Sequence, residues 1–101
     1  MYQPLDGPAT QGTLSVGTVT VIEAKVGATA FTERQVLTLQ PDGKLYVYFA
    51  NDGEVPTAAT VAANGFIHFK SAKESYEAGQ FQKVYLLSVA GTINVKIAER
   101  T

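Results

Sequence analysis

The sequence predicts an all-β fold, and within that class a single antiparallel β-sandwich, with a small β-barrel as the alternative. Short runs rich in β-branched and aromatic residues alternate apolar with polar side chains along most of the chain. Glycine, proline and asparagine-rich turn segments separate these runs at roughly ten-residue spacing, which is typical of sandwiches and barrels. We therefore expect about six to eight strands.

Composition sets limits on the domain count and on the partners. A chain of 101 residues fits one domain, and 17% charged residues is below the globular average of about 25%. The low charge is consistent with uncharged Thr, Ser and Gln on the outer faces, or with a surface that contacts other subunits. Eight Lys and Arg against nine Asp and Glu form no basic stripe, so nucleic acid is not an expected partner.

The chain has no cysteine, which excludes disulfides, thiol catalysis and Cys-bound zinc. Its first residues lack the basic start and apolar core of a signal peptide, and no run has the 18 or so apolar residues of a membrane span. We expect synthesis in a cytoplasm and no membrane insertion.

Residues 1–12 contain two prolines and two glycines without a periodic apolar pattern, which predicts an extended N-terminal arm. The arm is either a loosely packed terminus or a strap on a neighbouring subunit, with Tyr2, Pro4 and Leu5 as candidate interface residues. Residues 13–101 would then form the β-sandwich domain.

Residues 13–26 are predicted to be strand, because β-branched side chains are dense there. Leu14, Val16, Ile22 and Val26 are expected on the core face, and Gly17 as a bulge or as a break into two strands.

Residues 34–40 and 44–50 predict a hairpin joined by Pro41-Asp42-Gly43, in which glycine would supply a positive φ. In the second strand one face, expected in the core, carries an apolar set consisting of Leu45, Val47 and Phe49. The other face carries Tyr46 and Tyr48, which are either candidate interface residues or partners in cross-strand aromatic packing.

Three segments follow with weaker patterns. Residues 51–54 are predicted to be a turn, and residues 55–64 a loop with a short strand, with one helical turn as the alternative. Residues 66–70 predict a strand. Residues 71–79 predict an edge strand blunted by its charges, or a short amphipathic helix.

The C-terminal residues predict a second hairpin, formed by residues 84–89 and 92–98 around Ala90-Gly91. The first strand is apolar on both faces and is therefore expected to be central. In the second strand Ile93, Val95 and Ile97 would point inward, and residues 99–101 would be a polar tail.

No residue pattern predicts a catalytic or cofactor site. His68 is the only histidine, and neither Ser71 nor Ser75 lies in a nucleophile-elbow sequence, so a surface or half-buried structural histidine is expected. Glu74 and Glu77 would point to opposite faces of a strand and could not act as an acid/base pair. We expect a non-enzymatic protein with no cofactor and no metal.

Residues 34–99, about two thirds of the chain, resemble a family of small β-sandwich virion proteins of tailed bacteriophages. The resemblance lies in an Arg-x-x-Leu-x-x-Gln segment at residues 34–40, the aromatic strand at 45–49, and a closing pattern that includes Val84-Tyr85, Gly91-Thr92, Val95 and Glu99. The chain departs from the family where Pro41-Asp42-Gly43 replaces Asn-x-Gly, and in residues 67–76, which are more aromatic and charged.

The resemblance implies a capsid-associated role on the virion surface, as a decoration or cement subunit, a head-fibre base or a connector-associated subunit. The implied partners are the major capsid protein or other virion subunits, and the chain is expected to form a homo-oligomer. The alternative is a carbohydrate- or receptor-binding module at a fibre or tail tip, with Tyr46, Tyr48, Phe66 and Tyr76 as stacking platforms.

Overall fold

The computed structural model describes residues 9–101, which form two four-stranded antiparallel sheets packed face to face. The predicted β-sandwich is confirmed. Within these residues the elements are, in chain order, β1 (Ala9–Val16), β2 (Ile22–Glu23), β3 (Val36–Pro41), β4 (Leu45–Phe49), α1 (Ala58–Asn64), β5 (Phe66–His68), β6 (Glu74–Glu77), β7 (Val84–Ser88) and β8 (Ile93–Arg100).

The first sheet has the strand order β1-β8-β3-β6 and the second has β2-β7-β4-β5. The main core lies between them and is formed by the inward side chains of both sheets. β7 is buried along its whole length and lies between β2 and β4, as its two apolar faces predict. β6 is an edge strand, also as predicted.

Both predicted hairpins are wrong, because the strands of each pair belong to different sheets. β3 pairs with β8 and β6, whereas β4 pairs with β7 and β5. Asp42 still donates its backbone N–H to Asn94 of β8, and the Lys44 carbonyl already accepts from Val89 beyond β7. The chain therefore crosses from one sheet to the other within three residues.

The same crossing occurs between β7 and β8. The turn residues at both sites reverse the chain as predicted. The two strands that each turn connects lie in different sheets, so they face each other across the core and do not hydrogen-bond side by side. Gly43 does not have the predicted positive φ. It is required for another reason, since a Cβ at this position would lie 2.5 Å from the Ile93 Cγ2 atom. Gly91, in the second crossing, has a φ of 67°.

The N-terminal third differs from prediction in its boundaries. β1 begins at Ala9, so residues 9–12 pair with β8 and belong to the sandwich rather than to the arm; residues 1–8 lie outside the described range. The chain then breaks after Gly17 into β1 and β2, one of the two predicted outcomes. Leu14, Val16, Ile22 and Val26 contact the main core as predicted.

Residues 58–64 form a helix, whereas a loop with a short strand was expected. Alanine-rich sequence favours helix, and the Thr57 hydroxyl caps the first turn by accepting the Thr60 N–H. α1 lies on the outer face of the second sheet, where its buried Val61 forms a smaller apolar cluster with Ala50, Tyr85 and Leu87. Within residues 9–101 no helix is long and apolar enough to cross a membrane.

Candidate functional site

The sequence-predicted interface residues are not brought together in the described part of the chain. Tyr2, Pro4 and Leu5 lie outside the described residues. Tyr46 and Tyr48 lie on the outer face of the second sheet, where both pack against the cluster beneath α1. They retain partial exposure and also have an intramolecular packing role.

Tyr48 is further fixed by the turn at residues 51–54. Its hydroxyl donates to Glu54 Oε2 over 2.7 Å, and Glu54 Oε1 accepts the Asn51 backbone N–H over 2.9 Å. The Asn51 N–H and the Tyr48 hydroxyl lower the pKa of Glu54, and the bond to that carboxylate raises the pKa of Tyr48. The Glu54 carboxylate therefore stabilises both the turn of residues 51–54 and the position of the Tyr48 side chain.

The largest apolar side chains left exposed near a strand edge lie at and after β5. We call Phe66, Ile67 and Phe69 the β5 edge patch; their exposed fractions are 66%, 42% and 62%. Phe66 lies opposite the inward-facing Val47 and Ile67 opposite the outward-facing Tyr46, so these two side chains flank the strand edge from its two faces. β5 is an edge strand of the second sheet: β4 lies on one side of it, and within residues 9–101 no strand lies on the other. An exposed apolar strand edge is a common contact site for another polypeptide chain.

The patch rests on an ordered aromatic base. The Phe66 ring packs edge-on against Phe49 with centroids 6.3 Å apart, and Phe49 in turn packs edge-on against Tyr76 at 5.6 Å. The Lys44 ammonium lies 6.0 Å from the centroid of Phe69. The Phe66 ring is thus held by Phe49 and the Phe69 ring lies near Lys44, while both residues remain mostly exposed.

His68, the last residue of β5, is fully buried, whereas a surface or half-buried histidine was expected. Its Nε2 lies 2.6 Å from the Ala72 carbonyl and therefore carries the proton, because a carbonyl only accepts. Nδ1 lies 2.8 Å from the Tyr76 hydroxyl, which donates to it when the imidazole is neutral. His68 belongs to β5 and Tyr76 to β6, so this bond closes one open side between the two sheets.

The surroundings of the Tyr76 hydroxyl change its pKa. Burial, together with the Glu74 carboxylate 3.4 Å from the hydroxyl, raises the pKa of Tyr76 to about 12. The Ser75 hydroxyl hydrogen-bonds to Thr38 Oγ1 and not to His68. His68 Nε2 bonds to the Ala72 carbonyl and His68 Nδ1 bonds to the Tyr76 hydroxyl. His68 and Tyr76 therefore form a hydrogen-bonded link between β5 and β6.

Sequence reasoning missed a buried ion pair between Arg34 and Glu99, which had been assigned to a strand end and to the polar tail. Arg34 Nη1 lies 2.8 Å from Glu99 Oε2, and both side chains are almost wholly buried. Glu99 also accepts the backbone N–H groups of Val26 and Phe31. A detectable signal existed, since Glu99 continues the inward alternation of Ile93, Val95 and Ile97.

The guanidinium of Arg34 uses every N–H it has. Besides Glu99 it donates to four backbone carbonyls, those of Ala24, Ala78, Gly79 and Gln82. The pair therefore joins the loop of residues 24–34 and the loop of residues 78–83 to the end of β8. Its role is to fix these loops rather than to meet a ligand.

A shallow concavity of about 710 Å³ lies on the outer face of the first sheet. Three cationic side chains, Lys73, Lys96 and Arg100, line it together with uncharged residues such as Gln11 and Thr38. No group of three or more His, Asp or Glu side chains in residues 9–101 is placed to hold a metal ion. No protein-family model and no curated protein matches the chain.

Proposed function

We propose that this protein is a non-enzymatic virion component that binds the exterior of a phage capsid as a decoration or cement subunit. The observation that carries the proposal is the β5 edge patch, three exposed apolar side chains at an open strand edge. The assignment to a capsid rests on the sequence resemblance of residues 34–99.

The patch has properties that suit a protein contact. Covering apolar surface is worth about 25 cal/mol per Å², and rings held in place before binding lose little conformational freedom. Phe66 is ordered by Phe49, and Phe69 lies beside Lys44. A standard interface of about 1,600 Å² would need further contacts around the patch. Repetition of the contact over a capsid would add avidity.

Binding to capsids tests the proposal directly. Purified capsids, assembled from the major capsid protein of the phage that the proposal implies, would be sedimented with the full chain, and the bound fraction measured. A Phe66→Ser, Phe69→Ser double variant should lower the apparent affinity about tenfold or more. Phe81→Ser is the matched control, because Phe81 is 88% exposed but lies in the loop between β6 and β7.

Two results would count against the proposal. Absence of wild-type binding to such capsids rejects attachment itself, and undiminished binding by the double variant rejects the patch as the contact. A deletion of residues 2–8, which leaves β1 whole, tests the predicted arm separately.

Carbohydrate binding is the second candidate, and the exposed aromatic side chains of Phe66 and Phe69 are the observation that favours it. The four aromatics first expected to form a platform do not share a face, since Tyr46 and Tyr48 lie by α1 and Tyr76 lies between the sheets. A glycan array with wild type and a Phe66→Ala, Phe69→Ala variant distinguishes the two. No signal from the wild type removes the carbohydrate candidate.

A further inference from the structure

We infer that β1 is a self-association edge, through which two copies of this chain pair antiparallel and join their first sheets into one sheet of eight strands. The inference does not depend on capsid attachment. It rests on which main-chain groups β1 leaves free and on the length and charge of the other edge strands.

The hydrogen bonds of β8 show which side of β1 is free. The carbonyls of Asn94 and Arg100 accept from Asp42 and Gln35 on the β3 side, so even-numbered residues of β8 bond toward β3. Bonding direction alternates along a strand, and the odd-numbered residues of β8 therefore bond toward β1. Their register partners in β1 are even-numbered, for example Leu14 opposite Val95.

The odd-numbered residues of β1 consequently direct their N–H and C=O groups away from β8. These residues are Ala9, Gln11, Thr13 and Ser15, and their side chains are also exposed. Within residues 9–101 no other segment forms a backbone hydrogen bond with them. Four alternate residues of β1 therefore present their N–H and C=O groups along an edge that has no strand partner among the described residues.

The other three edge strands are shorter than β1, and β6 is also charged, so each offers less main chain for strand pairing. β6 carries charges, with Glu74 and Glu77 in a four-residue strand. β2 has only two residues and β5 only three. β1 has eight residues, none of them charged and none of them proline. Natural sandwiches commonly protect edges by charge, proline or shortness, so a long uncharged edge is the expected site of pairing.

The partner that fits this edge best is a second copy. In an antiparallel two-fold pair, the main-chain groups of the odd-numbered residues of one β1 strand bond to those of the other. The outer faces of the first sheets of the two copies then lie on the same side of the joined sheet. A two-fold axis at Gly12 places Gln11 opposite Thr13, and an axis at Thr13 places the two Thr13 residues opposite each other. Neither register opposes like charges, and the net charge of each chain is only −1.

Sedimentation velocity of the full chain over a range of concentrations tests the inference. The wild type should form a dimer, and a Gln11→Glu, Thr13→Glu variant should raise the dimer Kd about tenfold or more, because carboxylates oppose each other in either register. The matched control is Thr38→Glu, Gln40→Glu, which adds the same charge to the same outer face on the interior strand β3. The control should remain dimeric.

The absence of cysteine allows a second measurement. Directly opposed residues in a hydrogen-bonded antiparallel pair have Cα atoms about 5.5 Å apart, within disulfide range. Thr13→Cys should cross-link to itself if the axis is at Thr13, and only to Gln11→Cys in a mixture if the axis is at Gly12. Thr38→Cys on β3 should not cross-link. A wild type that stays monomeric overturns the inference. So does a dimer whose Kd is unchanged by the Gln11→Glu, Thr13→Glu variant and in which the β1 cysteines do not cross-link.

Discussion

Replacing Glu99 with alanine should be among the most destabilising single changes in this protein. The carboxylate accepts three hydrogen bonds, from the Val26 N–H at 2.7 Å, the Phe31 N–H at 3.0 Å and Arg34 Nη1 at 2.8 Å. Its removal leaves a guanidinium without its counter-ion where the Arg34 side chain is 1% exposed. Breaking a buried ion pair in this way costs about 3–5 kcal/mol.

That cost is large relative to the whole stability, which for a domain of this kind is about 5–15 kcal/mol. With a urea dependence of about 1–3 kcal/mol per M, the unfolding midpoint should fall by about 2 M. Urea unfolding followed by circular dichroism measures this shift. The loops of residues 24–34 and 78–83 should also become more sensitive to limited proteolysis, because the pair joins both to β8.

The neighbouring Arg100→Met change is the control, since Arg100 is exposed on the opposite face of β8. It should change stability by no more than about 0.5 kcal/mol. Should Glu99→Ala fail to fold, Glu99→Gln and Arg34→Lys keep the reasoning testable, because each retains part of the bonding. Midpoints for all of these variants equal to that of Arg100→Met would refute the structural role of the pair.

Three further predictions concern the core, the sheet crossing and alkaline pH. Leu37→Ala and Val95→Ala, both at fully buried positions, should each cost about 2–4 kcal/mol in urea unfolding, and unchanged midpoints would contradict the core assignment. Gly43→Ala should cost about 1–3 kcal/mol because its Cβ would meet Ile93, and an Ile93→Ala background that relieves none of this cost would contradict the proposed clash. Because the pKa of Tyr76 is raised from 10.0 to about 12, the neutral phenol stabilises the fold fully below pH 10, and this contribution is lost as the pH rises from 10 toward 12. The difference in unfolding free energy between wild type and Tyr76→Phe should therefore shrink across that interval, and a constant difference would contradict the assignment.

The His68 to Tyr76 bond shows how a single histidine can have a structural role. The two residues lie on edge strands of different sheets, and neighbours eight residues apart in sequence meet across the opening between them. Nothing in the local sequence indicates this, because the two edge strands come together only when both sheets stack. Sequence reasoning placed His68 correctly on a strand but underestimated its burial.

The amino-acid sequence by itself determined most of the local structure. Side-chain alternation identified the inward faces of β4 and β8, the two-sided apolarity of β7 identified a central strand, and glycine and proline marked the reversals. These properties depend on neighbours within a few residues, and a period of two is readable from one strand alone.

Tertiary structure alone decided which strands pair and which polar groups are buried. A Pro-Asp-Gly segment reverses the chain equally well into a hairpin or across a sandwich, and only the packing of Leu37 and Leu39 opposite the core residues of the other sheet selects the crossing. Likewise Arg34 and Glu99 are 65 residues apart, and they are stable inside only because the fold supplies each with its partners. The sheet order that leaves the β1 and β5 edges open is fixed by the same long-range pairing.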